Sequence, residues 1–303
     1  MMASDADVAA IGSLLQDSTR PLKERFRALF TLRNLGGEVA INAIANTFSD
    51  ESALLKHELA YCLGQMKDSK AIPTLLKVLE DRSQEPMVRH EAGEALGAIG
   101  DATVMPILEK YSKDDVVEVA ETCHLALERL KFLHGDADRS RSFEGADKFT
   151  SIDPTPPSTC MDLQKLRDTL LNEKIPLYER YRAMFSLRNI NSKESAKVLS
   201  EGFSCGSALF RHEIGFVLGQ MECADVVDEL ATVVRNRSES GMVRHEAAEA
   251  LGAIATEEAM KVLREHLDDP IDVVRESCEV ALDMCDYNNS KEFQYANALQ
   301  YVQ

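Results

Sequence analysis

The feature that most constrains this chain is a duplication of its own sequence. The segment PLKERFRALFTLRNL, which begins at Pro21, recurs as PLYERYRAMFSLRNI at Pro176. The segment MVRHEAGEALGAI at Met87 recurs as MVRHEAAEALGAI at Met242. Both second copies begin 155 residues after the first (176 − 21 and 242 − 87). Because internal repetition defines the unit that folds, it takes precedence over other signals and predicts two related halves.

A shorter repeat lies inside each half. In the first half, one leucine recurs in four successive helical segments at spacings of 31, 33 and 31 residues, as Leu32, Leu63, Leu96 and Leu127. Apolar residues around each leucine follow the i, i+3, i+4 spacing of a helix with one buried face. A second amphipathic helical pattern precedes each of these segments, and no strand pattern occurs. The sequence therefore predicts an all-α protein, an α-solenoid of eight helix pairs in two pseudo-symmetric blocks of four.

The segments outside the repeats set the expected boundaries. The chain divides into an N-terminal block at 1–133, a flexible linker at 134–160, a C-terminal block at 161–286 and a polar tail at 287–303. The linker is polar, contains three prolines near its end, and is much longer than ordinary connections between helices.

Composition restricts the classes of partner and compartment. The chain has 34 basic and 51 acidic residues, a formal net charge of −17. This balance argues against nucleic acid, which is bound by neutralising phosphates, and favours a cationic partner. No apolar run reaches the roughly 18 residues of a membrane span. The seven cysteines include no C-x-x-C motif, and no secretory signal precedes them, so we expect an intracellular protein in the cytoplasm or also in the nucleus.

Four of the seven histidines are followed directly by glutamate. These pairs are His57-Glu58, His90-Glu91, His212-Glu213 and His245-Glu246. The two pairs of one half are 33 residues apart (90 − 57), so they occupy the same place in neighbouring repeats. The outer repeats have other residues there, namely Phe26-Arg27, Glu121-Thr122, Tyr181-Arg182 and Glu276-Ser277. A purely structural requirement would include the outer repeats, so the pairs indicate a functional site.

A metal ion is the simplest explanation for this placement. Consecutive residues of a helix point about 100° apart, so the His and Glu of one pair flank a common sector. Stacked helices lie about 8–10 Å apart, which lets side chains from both reach one ion. Two imidazoles and one carboxylate are the ligands of non-haem iron(II) sites, although zinc accepts the same ligands. Two copied sets favour a di-metal carboxylate centre, formed when the halves face each other across a pseudo-two-fold axis.

These motifs resemble the deoxyhypusine hydroxylase family, whose members consist of two blocks of four HEAT-like repeats. The resemblance covers nearly the whole chain and includes HE-x₄-LGQM at His57 and His212 and MVRHEA at Met87 and Met242. It implies a monooxygenase with two Fe(II) ions per chain that uses dioxygen. The implied substrate is the deoxyhypusine side chain of translation initiation factor 5A, which is converted to hypusine. We expect a monomer, because each half can complete the site for the other.

The resemblance also assigns individual residues. It implies two sets of metal ligands: His57, His90 and Glu91 in the first half, and His212, His245 and Glu246 in the second. It implies four substrate-binding positions, of which the carboxylates are also catalytic: Glu58, Glu213, Gly64 and Gly219. The carboxylates suit a substrate with amine cations. For the two glycines, tight packing between helices is an equally good explanation, since glycine inside a helix costs about 1 kcal/mol.

Two alternatives have different consequences. A non-catalytic α-solenoid scaffold would bind a protein on its concave face but leaves the His-Glu pairs unexplained. A bilin lyase, suggested by the repeat wording, would bind a tetrapyrrole and would not need paired metal ligands. The other three histidines have no glutamate after them and are interpreted as surface or packing residues: His124, His134 and His266.

Overall fold

A computed structural model describes residues 3–135 and 149–298 of the chain. The chain divides into two compact units. Of the described residues, 3–130 and 290–298 form the first unit, and 131–135 and 149–289 form the second. Within the described residues, no helix is long and apolar enough to cross a membrane.

The first unit begins with four helix pairs joined by short connections. Its helices are α1 (Asp5–Gln16), α2 (Leu22–Leu35), α3 (Gly37–Ala45), α4 (Ala53–Gln65), α5 (Ile72–Glu80), α6 (Pro86–Ile99), α7 (Met105–Tyr111) and α8 (Val117–His134). The last four residues of α8 belong to the second unit.

The second unit repeats this arrangement. Its helices are α9 (Leu163–Leu171), α10 (Leu177–Ile190), α11 (Lys193–Ser200), α12 (Ala208–Met221), α13 (Val227–Arg235), α14 (Gly241–Ile254), α15 (Glu257–Glu265) and α16 (Asp272–Asn288). Residues 3–135 and 149–298 contain no strand. The predicted all-α solenoid of eight helix pairs is therefore confirmed.

The second helices of successive pairs stack against each other in both units. Contacts join α4 to α6 in the first unit, and join α12 to both α10 and α14 in the second. The four leucines that define the repeat are buried in this stack, and Leu32, Leu63 and Leu96 are fully buried. Burial of one apolar face per helix therefore explains why helices too short to be stable alone form a continuous core.

Serine caps place the helices that carry the first His-Glu pair of each unit. The Ser52 hydroxyl accepts a hydrogen bond of 3.0 Å from the backbone N–H of Leu55 at the start of α4. Ser207 does the same at the start of α12, where it accepts from the N–H of Phe210 at 3.1 Å. A side-chain cap satisfies one of the backbone donors that a helix leaves open at its N-terminus.

A buried arginine ties neighbouring repeats together by one recurring pattern. Its Nε donates to the carbonyl ten residues earlier, and its Nη atoms pair with the aspartate 25 residues later. Three such pairs occur: Arg25–Asp50, Arg89–Asp114 and Arg244–Asp269. The fourth arginine, Arg180, keeps the carbonyl bond to Leu170 at 2.9 Å, but the residue 25 positions later is Cys205.

The described end of the predicted linker, residues 149–160, belongs to the second unit and packs against its helix α10. The carboxylate of Asp153 lies 2.6 Å from Nη2 of Arg188, and both side chains are buried. The hydroxyl of Ser186 donates to the carbonyl of Ser158 at 2.9 Å. This part of the segment predicted to be flexible is therefore held in place. The rest of the predicted linker falls mainly on residues 136–148, outside the described part of the chain, so its flexibility stays a prediction.

The predicted polar tail begins inside α16 and continues onto the first unit. The carboxylate of Glu292 lies 2.8 Å from Nη1 of Arg27, whose guanidinium also stacks on the ring of Tyr295 at 4.6 Å. The backbone N–H of Ala298 donates to the hydroxyl of Thr31 at 3.1 Å. Polar contacts with α2 thus order residues 292–298, although their sequence has no helical pattern.

Candidate metal centre

In the first unit, α4 and α6 bring one His-Glu pair each to a common buried cluster. Nε2 of His57 lies 3.3 Å from Oε2 of Glu91, and Nδ1 of the same ring lies 3.4 Å from Oε1 of Glu58. The ring centroids of His57 and His90 are 5.4 Å apart. Ligand atoms of His57, His90 and Glu91 all lie within 4.8 Å of one another. The three residues predicted as metal ligands are therefore adjacent.

The electrostatic environment of His57 favours a positive charge. Burial lowers the pKa of this imidazole, because it penalises the charged form. The carboxylates of Glu91 and Glu58 act in the opposite direction and outweigh burial, so the pKa of His57 lies well above its ordinary value. A metal cation bound in place of the proton would meet the same carboxylates.

The second unit forms a corresponding cluster from α12 and α14. Nε2 of His212 lies 3.1 Å from Oε2 of Glu246, and Nε2 of His245 lies 3.9 Å from the same oxygen. The two imidazole ring centroids are 5.2 Å apart, close to the value in the first unit. Glu213 is buried beside this cluster on the same helix as His212. The predicted second set is therefore also assembled.

The donor chemistry of both clusters fits a transition-metal ion. Donors bound to one ion at about 2.0–2.2 Å lie about 3 Å from each other when the angles are near 90°. The closest N···O separations, 3.3 Å for His57 with Glu91 and 3.1 Å for His212 with Glu246, are near this distance. Each cluster also buries two carboxylates, whose negative charge a bound cation would compensate. Imidazole and carboxylate ligands suit iron and zinc.

The structure adds a residue that the sequence analysis missed. Oε1 of Glu249 lies 3.5 Å from Nδ1 of His245, four residues earlier on α14. Ligand atoms of His245, Glu246 and Glu249 lie within 4.8 Å of one another. The signal was present in the sequence, because Glu249 and its counterpart Glu94 follow the second His-Glu pair of each half at the same spacing.

The two glycines predicted to bind substrate have a packing role in the structure. A Cβ atom added to Gly64 would lie 2.7 Å from Cα of Ala95, and one added to Gly219 would lie 3.1 Å from Cα of Ala250. Glycines one repeat later make the same kind of contact with alanines, and they lie outside the predicted site: Gly97 with Ala126, and Gly252 with Ala281. Close helix approach therefore explains this glycine in all four inner positions, and substrate contact stays a prediction.

The remaining three histidines belong to neither cluster. His124 and His134 are exposed on α8. His266 is partly buried, and its Nδ1 lies 2.9 Å from the carbonyl oxygen of Val262. The seven cysteines are all free thiols, and four of them are fully buried within helices: Cys62, Cys123, Cys278 and Cys285.

Comparisons with known proteins agree with this architecture. The family model for HEAT repeats matches residues 41–128 and 196–283. Deoxyhypusine hydroxylase from Rattus norvegicus is 58% identical over 299 residues, which cover 99% of this chain and 98% of the relative. The human protein of the same name is 56% identical over 303 residues, covering 99% and 98%. A solved structure of human deoxyhypusine hydroxylase in complex with glycerol has a TM-score of 0.90 and 57% identity, and covers 93% of this chain and 97% of that one.

Proposed function

Because this chain belongs to the deoxyhypusine hydroxylase family, we propose that it hydroxylates the deoxyhypusine side chain of translation initiation factor 5A to form hypusine. The observation that carries the proposal is the pair of buried His-Glu clusters in a chain that matches its named relatives over nearly their full length. The rival scaffold and lyase functions give no reason for two such clusters.

We further propose that the enzyme is a di-iron, dioxygen-dependent monooxygenase with one Fe(II) ion in each unit. The ligands would be His57, His90 and Glu91 in the first unit, and His212, His245 and Glu246 in the second. Bound iron would supply the activation of dioxygen. In the overall reaction one oxygen atom enters a C–H bond of the substrate. The other oxygen atom leaves as water, with two electrons and two protons from an external reductant.

Glu58 and Glu213 are proposed as the catalytic carboxylates that bind and orient the substrate. Deoxyhypusine is a lysine extended by an aminobutyl arm, so it carries amine cations. A buried carboxylate forms strong charge-assisted hydrogen bonds with such a cation, because water does not compete for it. Glu58 and Glu213 are both less than one-tenth exposed and lie one residue from a predicted metal ligand. Each can therefore hold the arm beside the atoms that would react.

The chain supplies two further requirements of the chemistry. The four imidazoles are at most 5% exposed, so their helices exclude bulk water from the clusters. The formal charge of −17 attracts a cationic substrate over longer range and accelerates encounter at low ionic strength.

Ligand removal tests this proposal. The purified chain, loaded with Fe(II) and supplied with a reductant and isotopically labelled dioxygen, should add one labelled oxygen atom to deoxyhypusine-containing factor 5A. His57→Ala and Glu246→Ala should each lose about one of the two irons, and hydroxylation with it, since each removes a ligand from one cluster. His124→Ala is the matched control and should behave as the unaltered chain, because this histidine is exposed and outside both clusters. Full iron content and full hydroxylation in His57→Ala would refute the assignment.

A further inference from the structure

One position of the repeat has a different type of residue in two of the eight second helices. It lies four residues after the histidine of each His-Glu pair, or after the residue that takes the place of that histidine in the outer repeats. In six of the eight repeats this position is aromatic or aliphatic: Phe30, Tyr61, Leu125, Phe185, Phe216 and Val280. It is glutamate only in the helices that carry the second His-Glu pair of each unit, as Glu94 and Glu249. The fold therefore accepts an apolar residue here, and a packing requirement does not explain the glutamate.

In the second unit, Glu249 and Glu246 lie on opposite sides of the His245 ring. Nδ1 of His245 lies 3.5 Å from Oε1 of Glu249, while Nε2 of the same ring lies 3.9 Å from Oε2 of Glu246. The imidazole is fully buried, and the side chain of Glu249 is 26% exposed. The two ring nitrogens therefore face two different carboxylates, one inside the predicted ligand set and one outside it.

This arrangement has a direct consequence for the tautomer of the ring. A neutral imidazole has one N–H donor and one nitrogen lone pair, and only the lone pair can bind a metal. A carboxylate accepts hydrogen bonds but cannot donate them when ionised. If Glu249 accepts from Nδ1–H, the lone pair lies on Nε2, toward Glu246. Carboxylate–histidine–metal triads fix metal ligands in this way, and their outer carboxylates are worth about 10–100-fold in metal affinity.

We propose that Glu249 is a positioning residue that holds His245 in the Nδ1–H tautomer, with Nε2 directed at the metal of the second unit. The inference rests on the proposed function, because it assigns a role toward the same metal set. In the first unit the ring of a different ligand, His57, also lies between two carboxylates, Glu58 at Nδ1 and Glu91 at Nε2.

The test isolates the second-unit set in the full chain. A His90→Ala background removes one ligand of the first set, and Co(II) then reports binding at the second set by its visible absorbance. In this background Glu249→Leu should weaken Co(II) binding by roughly 10–100-fold. Glu249→Gln should lose less, because its amide carbonyl keeps an acceptor beside Nδ1. Glu258→Gln, a change at an exposed glutamate of α15, is the matched control and should bind Co(II) like the background.

A second readout separates positioning from a general loss of stability. Nuclear magnetic resonance of nitrogen-labelled histidine should assign the proton of His245 to Nδ1 in the background chain, and this preference should be lost in Glu249→Leu. If Glu249→Leu kept both the Nδ1–H tautomer and full Co(II) affinity, the positioning role would be wrong while the metal set stood. If the background chain with Glu249 intact bound no Co(II), the proposed metal set itself would be overturned, and this role for Glu249 with it.

Discussion

Replacing Cys205 with aspartate should stabilise the second unit. Three of the four buried arginines that join neighbouring repeats pair with an aspartate 25 residues later, and Arg180 is the exception. Arg180 is buried, it stacks on the ring of Phe210 at 4.1 Å, and its Nη2 atom makes no hydrogen bond. The Cys205→Asp change would supply the missing acceptor at the place that Asp50 occupies in the first unit.

The equivalent Arg–Asp pairs show whether hydrogen bonding to the arginine outweighs the cost of burying the carboxylate. The guanidinium of Arg89 lowers the pKa of Asp114 although burial raises it. Burial is the largest influence on Asp269, yet hydrogen bonds from Arg244 and from the backbone still lower its pKa. In both pairs the Nη atoms reach both carboxylate oxygens, at 2.7 and 3.3 Å for Asp114. The ionised carboxylate is therefore the favoured form in this environment.

The size of the gain follows from two opposing contributions. Hydrogen bonds to charged groups contribute about 1.5–3 kcal/mol each, and burying a further carboxylate costs several kcal/mol. The desolvation of Arg180 is already incurred, so two new bonds leave a net gain of about 1–2 kcal/mol in the free energy of unfolding. For a unit of this size that corresponds to about 2–8 °C in the melting temperature.

The assay is thermal unfolding of the full chain at neutral pH, followed by calorimetry so that the two units can be distinguished. Cys205→Ser is the matched control, because it changes size and polarity without adding charge, and it should not raise the melting temperature. The gain from aspartate should disappear in acid, because protonation of the new carboxyl removes the charge that pairs with Arg180. A melting temperature that is unchanged or lower in Cys205→Asp at neutral pH would refute the reasoning.

Four further substitutions have predicted effects on stability. Gly64→Ala should destabilise the chain by about 1–3 kcal/mol in denaturant unfolding, because the new Cβ would lie 2.7 Å from Cα of Ala95. Gly219→Ala should cost less, since the corresponding distance is 3.1 Å, and equal effects would contradict the packing argument. Ala255→Gly should stabilise by about 1 kcal/mol, because Ala255 has a φ of 54° where the first unit has Gly100, and no change in melting temperature would contradict it. The pKa of Asp114 is lowered in the folded chain, so its carboxylate contributes fully to stability above about pH 4, the unfolded pKa. This contribution is lost as the pH falls through the lowered pKa of the folded state. Asp114→Asn should therefore cost most at neutral pH and least in acid.

The repeat architecture was predictable because its signals are local. Leucines such as Leu63 and Leu96 recur at helical spacing and become fully buried, so periodicity alone defined the helix pairs. The packing of the two extended segments was not predictable. It depends on single contacts between distant residues, such as Arg188 with Asp153 and Arg27 with Glu292, 265 residues apart. No local pattern marks either contact.

The candidate site was identified by comparing equivalent positions between repeats. That comparison selected His57, His90 and their counterparts, and the structure brings each set together. Glu249 marks the same helix three positions after Glu246, but it does not directly follow a histidine and was therefore not predicted. The distances within each set were beyond the sequence, because they depend on how closely α4 approaches α6 and α12 approaches α14.

The central claim is that each unit binds one iron, and elemental analysis of the purified chain tests it most directly. After loading with Fe(II) under anaerobic conditions and removal of loosely bound metal, we predict about two irons per unaltered chain. His90→Ala and His245→Ala should each retain about one, because each change disables a single unit. An unaltered chain without iron, or variants that keep the same iron content as the unaltered chain, would contradict the account.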